Sequence, residues 1–128
     1  MRLLLDTNVF LWSASEPRRL GAVRDAIEDR GNDLLISTVV VWEIAIKYAI
    51  GRLPLHEEPA VFVPRHTVRL EAGPVAISDE HALGVATLPM LHRDPFDRLL
   101  VSQARQLGAT LVTADAVLAR YDVETLLV

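Results

Sequence analysis

Short aliphatic runs alternate with segments of helical spacing along the 128-residue chain. The runs predict five strands, at Arg2–Leu5, Leu34–Ile36, Val75–Ile77, Thr110–Thr113 and Val123–Leu127. Apolar residues three and four positions apart, together with caps and glycines, predict helices between them. The helices are Thr7–Ser13, Pro17–Arg30, Val39–Ile50, Pro59–Leu70 with Pro64 as a candidate break, Asp79–Thr87 and Pro95–Leu107, with a turn at Ala116–Arg120. This alternation favours an α/β fold, a three-layer α/β/α sandwich built on a parallel sheet.

Composition narrows the class of protein. Hydrophobic residues make up 51% of the chain and charged residues 23%, and no linker or repeat interrupts it, so we expect residues 1–128 to form one domain. The absence of cysteine excludes disulfides, thiolate zinc sites and cysteine nucleophiles. The longest uncharged stretch, His81–His92, is too short for a membrane helix, and Asp6 comes too early for a secretion signal. We therefore expect a cytoplasmic protein without a membrane partner.

Charge alone does not identify a partner. The net charge of −4 argues against a simple basic clamp for nucleic acid. Of the 13 basic residues, Lys47 is the only lysine. The arginines suit phosphate contacts, but a biased genomic base composition explains their number equally well.

Two aspartates are expected at one edge of the sheet. Asp6 directly follows the first predicted strand, and Asp115 lies two residues beyond the fourth. Ligand sites in parallel sheets form beyond the carboxyl ends of the strands, which places both side chains at that edge. Each aspartate is also a candidate cap for the helix or turn that follows it.

Glu43 conflicts with its surroundings, since it lies within the apolar segment Val39–Ile46. A buried, unpaired carboxylate is costly, so it requires a cation or a metal. The alternative is an exposed helical pair with Lys47, worth a few tenths of a kcal/mol. That pair does not explain a helix that is apolar nearly all round. We therefore interpret Glu43 as a site residue that projects towards Asp6.

Two more carboxylates lie where the last long helix begins. Pro95 at the first helical position makes Asp94 the N-cap and Asp97 the third helical residue. Capping explains Asp94, and Asp97 could merely favour the helix dipole. This first turn nevertheless lies at the open end of the sheet, beside the other acids.

The predicted cluster combines Asp6, Glu43, Asp97 and Asp115. Crowded carboxylates repel one another unless some are protonated or a cation binds. Oxygen ligands without histidine or thiolate nearby in sequence suit Mg²⁺ or Mn²⁺ better than Zn²⁺. Such ions support phosphodiester hydrolysis.

At these residues the sequence resembles the PIN-domain ribonucleases, and within them the toxins of VapBC-type toxin–antitoxin systems. The matching segments are Leu4–Asn8, Ser37–Lys47, His92–Arg98 and Leu111–Asp115. The resemblance implies a five-stranded parallel sheet, a divalent-metal site and endonucleolytic cleavage of RNA by metal-activated water. By this resemblance, the four acidic site residues of the family correspond to Asp6, Glu43, Asp97 and Asp115. The resemblance also assigns supporting roles to Asn8 and Thr113, and leaves Asp94 open as ligand or cap.

The resemblance further implies a homodimer inhibited by a cognate antitoxin whose tail lies across the active-site groove. Arg52, Arg93 and Arg98 flank the expected groove and are candidates for RNA phosphate contacts, with solvated surface positions as the alternative. We assign no catalytic role to the histidines, which lack metal-like spacing; they are His56, His66, His81 and His92. Trp12 and Trp42 are interpreted as core or partner-contact residues.

Two other functions are alternatives to a ribonuclease. A phosphoryl-transfer receiver domain would need paired acids after the first strand and a lysine near the last strand, and the chain has neither. A catalytically degenerate PIN-like binding module, acting only through protein or RNA contacts, is the remaining alternative. It would be favoured by a missing acid, and all four acids are present.

Overall fold

The computed structural model describes all residues, Met1–Val128. Its five strands are β1 (Arg2–Leu5), β2 (Asp33–Ser37), β3 (Gly73–Val75), β4 (Thr110–Thr113) and β5 (Thr125–Leu127). They form one parallel sheet in the order β3-β2-β1-β4-β5. The helices are α1 (Thr7–Ser15), α2 (Val23–Glu28), α3 (Thr38–Ala49), α4 (Pro59–Arg69), α5 (Asp79–Gly84) and α6 (Pro95–Leu107). The predicted α/β fold with a five-stranded parallel sheet is confirmed.

The central strand is buried on both faces. Leu3, Leu4 and Leu5 are fully buried, although successive strand side chains point to opposite faces of a sheet. Leu111 and Val112 in β4 are fully buried as well. Helices therefore cover both faces, as a three-layer arrangement requires. None of the helices combines the length and apolar character needed to span a bilayer.

Two of the differences from the sequence prediction arise from proline and glycine. Strand β3 lies two residues before the predicted Val75–Ile77 and contains Pro74. An edge strand tolerates proline, and β3 pairs only with β2. The predicted helix Pro17–Arg30 is divided at Gly21, whose φ of 55° cannot continue a helix.

Helix α4 is continuous through Pro64, which was a candidate break. Proline lacks the N–H that would bond to the carbonyl four residues earlier, which belongs to Ala60. Ala60 is exposed in the first turn of the helix, where water can satisfy that carbonyl.

The parallel strands bring four chain segments to one edge of the sheet. Helix α1 starts directly after β1, and α3 starts directly after β2. The segment that follows β4 reaches the same edge, and so does the first turn of α6. This edge holds the predicted acids.

Candidate metal centre at the carboxyl edge of the sheet

Asp6 both caps a helix and faces the other acids. Its Oδ1 accepts a hydrogen bond from the Val9 N–H at 2.9 Å, which makes it the N-cap of α1. The residue is only 6% exposed. Burial raises the pKa of Asp6 to about 6, and hydrogen bonds with Thr113 and the Val9 amide oppose that rise. The negative charges of Glu43 and Asp115 add to it.

Glu43 is buried and paired at the same time. It is 4% exposed, and its Oε1 accepts a hydrogen bond from Thr7 Oγ1 at 2.5 Å. Its Oε2 accepts one from Lys47 Nζ. The helical pair with Lys47 that we considered thus exists, but Glu43 is not exposed within it. The hydrogen bond with Glu43 is the main cause that raises the pKa of Lys47, which keeps the ammonium charged.

The first turn of α6 supplies two acids in different settings. Asp94 Oδ1 accepts hydrogen bonds from the N–H groups of Phe96 at 2.8 Å and Asp97 at 3.4 Å, so Asp94 caps the helix as predicted. Burial, followed by the negative charges of Asp94, Asp6 and Glu43, raises the pKa of Asp97 to about 7. His92 lowers it.

His92 lies between two of the acids, although no role is expected for it from the sequence. Its Nε2 is 2.7 Å from Asp115 Oδ2 and 3.5 Å from Asp97 Oδ2. Its Nδ1 accepts a hydrogen bond from the Asp94 N–H at 3.0 Å. A neutral imidazole that accepts at Nδ1 carries its proton on Nε2. His92 therefore donates to the carboxylates.

The loop after β4 fixes the orientation of Asp115. Its N–H donates to Thr113 Oγ1 at 3.0 Å, and its Oδ1 accepts from the Val117 N–H at 2.9 Å. Thr113 is fully buried and also hydrogen-bonds Asp6, so it links the two aspartates. Asn8, the other predicted supporting residue, is exposed at the rim.

The four predicted acids line a single pocket of about 390 Å³. Other residues also line it, namely Thr7, Asn8, Lys47, Asp94, Ala114 and Ala116. Beside the pocket, His92 joins two of these acids: ligand atoms of His92, Asp97 and Asp115 lie within 4.8 Å of one another. The raised pKa values of Asp6 and Asp97 show that full ionisation is unfavourable here. A divalent cation that prefers oxygen ligands would relieve that repulsion, so the residues fit such an ion.

The family of the chain follows from a comparison with known domains. The family model of the PIN domain matches residues 3–124, nearly the whole chain. The chain belongs to the PIN domain family. The resemblance drawn from the sequence is thereby confirmed.

Proteins similar to this PIN domain include a ribonuclease and VapBC proteins. Over 58 residues it is 36% identical to "Ribonuclease VapC16" of Mycobacterium tuberculosis, which covers 45% of this chain and 41% of that relative. The aligned part is thus less than half of the relative's length. VapBC2 from Rickettsia felis, solved bound to a promoter DNA fragment, superimposes with a TM-score of 0.76 at 18% identity, covering 100% of this chain and 99% of that one.

A second solved structure, VapBC-1 from nontypeable Haemophilus influenzae, gives a TM-score of 0.67 at 18% identity. It covers 99% of this chain and 98% of its own. At 18% sequence identity, the similarity to these two structures shows that the fold is shared.

One predicted phosphate contact in this PIN domain is wrong. Arg98 is only 8% exposed, and its guanidinium points inward. It donates to the carbonyls of Pro89 at 2.9 Å and Val85 at 3.2 Å, and to the Tyr121 hydroxyl at 3.2 Å. Because these donors are already used, Arg98 holds the chain before α6 and is not available to RNA.

The other two arginines lie outside the acidic pocket of the PIN domain. Arg52 and Arg93 are exposed, and neither lines the acidic pocket. Of the tryptophans, Trp12 packs against the core beneath Arg19, whose Cζ is 4.1 Å from the ring centre. Trp42 is 54% exposed and meets Phe96 edge-on, with ring centres 5.1 Å apart.

Two polar residues that bond to the acids directly, Thr7 and His92, were not predicted from the sequence. Lys47 was predicted as a partner of Glu43, in the alternative interpretation of that residue. Sequence position offered a signal for Thr7, which directly follows Asp6. His92 lies two residues before the cap of α6, but only the fold brings it beside Asp115.

Proposed function

We propose that this PIN domain is a divalent-cation-dependent endoribonuclease, the toxin of a toxin–antitoxin pair. One observation carries the proposal: carboxylates from four separate segments share one pocket with a single basic residue. Membership of the PIN domain family supports it, as does the similarity to a relative named a ribonuclease.

Asp6, Glu43, Asp97 and Asp115 are the residues that would hold Mg²⁺ or Mn²⁺. The bound ion would polarise the scissile phosphate and lower the pKa of an attacking water. The four oxygen donors come from rigid positions, because Asp6 is fixed by its cap bond and Asp115 by two backbone contacts. Fixed ligands lose little freedom when the ion binds.

Neighbouring polar groups keep these carboxylates in place. Thr7 donates to Glu43, and the Nε2 proton of His92 points at Asp115. Thr113 links Asp6 and Asp115. We infer that Asn8, at the rim, orients water or substrate. Asp94 is the helix cap of the site and adds negative charge to it.

RNA is a polyanion, and the pocket is acidic. The phosphate backbone would be repelled by five carboxylates facing one lysine. The cation must therefore bind before the RNA or together with it. This order makes cleavage depend on the metal even where RNA contacts elsewhere are intact.

Partner proteins are proposed from the relatives. The similar structures include VapBC complexes and FitAB bound to a DNA fragment. We propose that this chain, too, is inhibited by an antitoxin, that it forms a homodimer and that it acts in the cytoplasm. Co-purification of the chain with the product of an adjacent small gene tests the antitoxin.

The central experiment is cleavage of structured cellular RNAs by the purified protein in Mg²⁺, Mn²⁺ or EDTA, with the new ends mapped. We expect cleavage only with a cation, and a loss on the order of 100-fold in Asp6→Asn. Asp33→Asn is the matched control, since Asp33 is exposed at the opposite edge of the sheet. Cleavage that persists in EDTA contradicts the proposal. A folded protein that binds RNA without cutting it indicates the degenerate binding module.

A further inference from the structure

Lys47 is the only basic residue that lines the acidic pocket. Its ammonium donates a hydrogen bond to Glu43 Oε2. The side chain of Lys47 is 43% exposed, whereas that of Glu43 is 5% exposed. The pair thus joins a fixed, buried carboxylate to an ammonium that borders solvent.

A divalent cation that binds Glu43 competes with this ammonium. Both carboxylate oxygens of Glu43 already have partners, Thr7 at Oε1 and Lys47 at Oε2. The Thr7 hydroxyl is neutral, so it is compatible with a cation nearby. The lysine carries a positive charge that the incoming ion repels, and its long stem lets the ammonium move towards solvent.

The displaced ammonium remains at the pocket mouth, where an RNA phosphate needs a positive partner. Arg98 is buried against backbone carbonyls, and Arg52 and Arg93 lie outside the pocket. Lys47 is therefore the basic side chain that lines the pocket itself, and it is partly exposed there. A lysine ammonium is a suitable ligand for phosphate.

We propose that Lys47 is a built-in counter-ion that neutralises Glu43 in the metal-free protein and contacts an RNA phosphate after a divalent cation replaces it. The inference rests on the function proposed above. It makes Lys47 a substrate-binding residue whose partner changes when the metal binds.

If a divalent cation replaces the Lys47 ammonium at Glu43, removing that ammonium should have two opposite effects. Removing the ammonium removes a competitor for the cation, so metal binding becomes tighter. The same change removes a phosphate contact, so RNA binding becomes weaker. A lysine that only orients Glu43 would give weaker metal binding when it is removed.

The test uses Lys47→Met, which keeps most of the stem and removes the charge. Arg24→Met is the matched control, because Arg24 forms an exposed ion pair with Glu28 at the same helical spacing. Mn²⁺ affinity is measured by calorimetry without RNA, and KM and kcat are measured at saturating Mn²⁺. We expect Mn²⁺ to bind about threefold more tightly and KM for RNA to rise about tenfold in Lys47→Met. Arg24→Met should change neither.

The outcomes separate this inference from the proposed function. Wild-type protein that binds no Mn²⁺ overturns the metal site and the exchange with it. Wild-type binding combined with weaker or unchanged Mn²⁺ affinity in Lys47→Met overturns the exchange alone, and so does an unchanged KM. Lys47→Gln gives the same comparison if thermal melts show that the methionine variant is unfolded.

Discussion

The two ends of the sheet each carry a pocket, and the pockets differ in charge and burial. The pocket at the amino ends of the strands is the larger, about 630 Å³ against about 390 Å³. Three arginines and four acids line it, namely Arg2, Arg30, Arg69, Glu28, Asp29, Asp33 and Glu71. The smaller pocket, at the carboxyl ends, has five acids and one lysine.

Burial makes this difference chemically important. The four acids of the amino-end pocket are all exposed, so water solvates their charges. Asp6 and Glu43 of the carboxyl-end pocket are 6% and 4% exposed and have lost most of that solvation. Excess negative charge without water is costly unless protons or a cation compensate for it. Charge imbalance combined with burial, and not pocket volume, therefore indicates the site.

The largest effect expected to distinguish the two pockets is stabilisation of the folded protein by a divalent metal ion. At about 100 times the Kd, Mn²⁺ should add about 2.7 kcal/mol to the free energy of unfolding, which raises Tm by several degrees. Glu43→Gln should lose most of this rise and reduce cleavage on the order of 100-fold. Thermal melts with and without Mn²⁺, together with RNA cleavage assays, measure both effects.

Glu71→Gln, in the amino-end pocket, is the control for this change. It should keep the full metal response and full cleavage. An equal rise of Tm in Glu43→Gln and wild type would remove Glu43 from the metal site.

A smaller effect is expected from pH in the metal-free protein. Asp6 and Asp97, whose ordinary pKa is 3.8, have pKa values of about 6 and about 7 in the fold. The native state therefore holds protons that the unfolded chain has already released, and stability falls as pH rises through this range. His66 acts in the opposite direction, since burial lowers its pKa from 6.5 to about 4. The contribution of His66 to the free energy of unfolding increases with pH, and most of it is present once the pH reaches 6.5, the ordinary pKa of histidine.

Between roughly pH 6.5 and 8, the aspartates should thus dominate, and the free energy of unfolding should fall by a net of about 0.5 kcal/mol. Urea denaturation in EDTA at several pH values measures this slope. Asp97→Asn should flatten it, whereas Asp29→Asn, in the exposed pocket, should leave it unchanged. A free energy of unfolding that rises over this window would contradict the raised pKa of Asp97.

Local signals predicted most of the fold. Strands β1 and β4 and helix α6 have the expected bounds, because aliphatic runs, Pro95 at the first helical position and Gly108 after the last are short-range features. β3 was misplaced because Pro74 is unfavourable in a strand unless the strand lies at an edge. The position of a strand within the sheet is a long-range property.

The acids of the site could be predicted, and so could Lys47 and Thr113 beside them, but polar partners from distant segments could not. Glu43 was conspicuous because it interrupts an apolar helix. The buried position of the Arg98 guanidinium depends on the carbonyls of Val85 and Pro89. The contact that His92 makes is with Asp115, 23 residues away in the sequence. Such pairings arise only after the segments pack, so sequence spacing does not reveal them.

The smallest expected effect concerns the fifth acid of the carboxyl-end pocket. Asp94 accepts the Phe96 and Asp97 N–H groups, and serine can accept bonds of the same kind. Asp94→Ser should therefore keep the free energy of unfolding within about 0.5 kcal/mol of wild type, whereas Asp94→Ala should lower it by about 1 kcal/mol.

Losing the Asp94 charge also removes one cause of the raised pKa of Asp97. Cleavage should then stay within about threefold of wild type, since an ionised Asp97 is the better metal ligand. Cleavage rates and urea denaturation of both variants measure these effects. A loss in Asp94→Ser as large as that in Glu43→Gln, with unfolding unchanged, would make Asp94 a fifth ligand and not only the cap of α6.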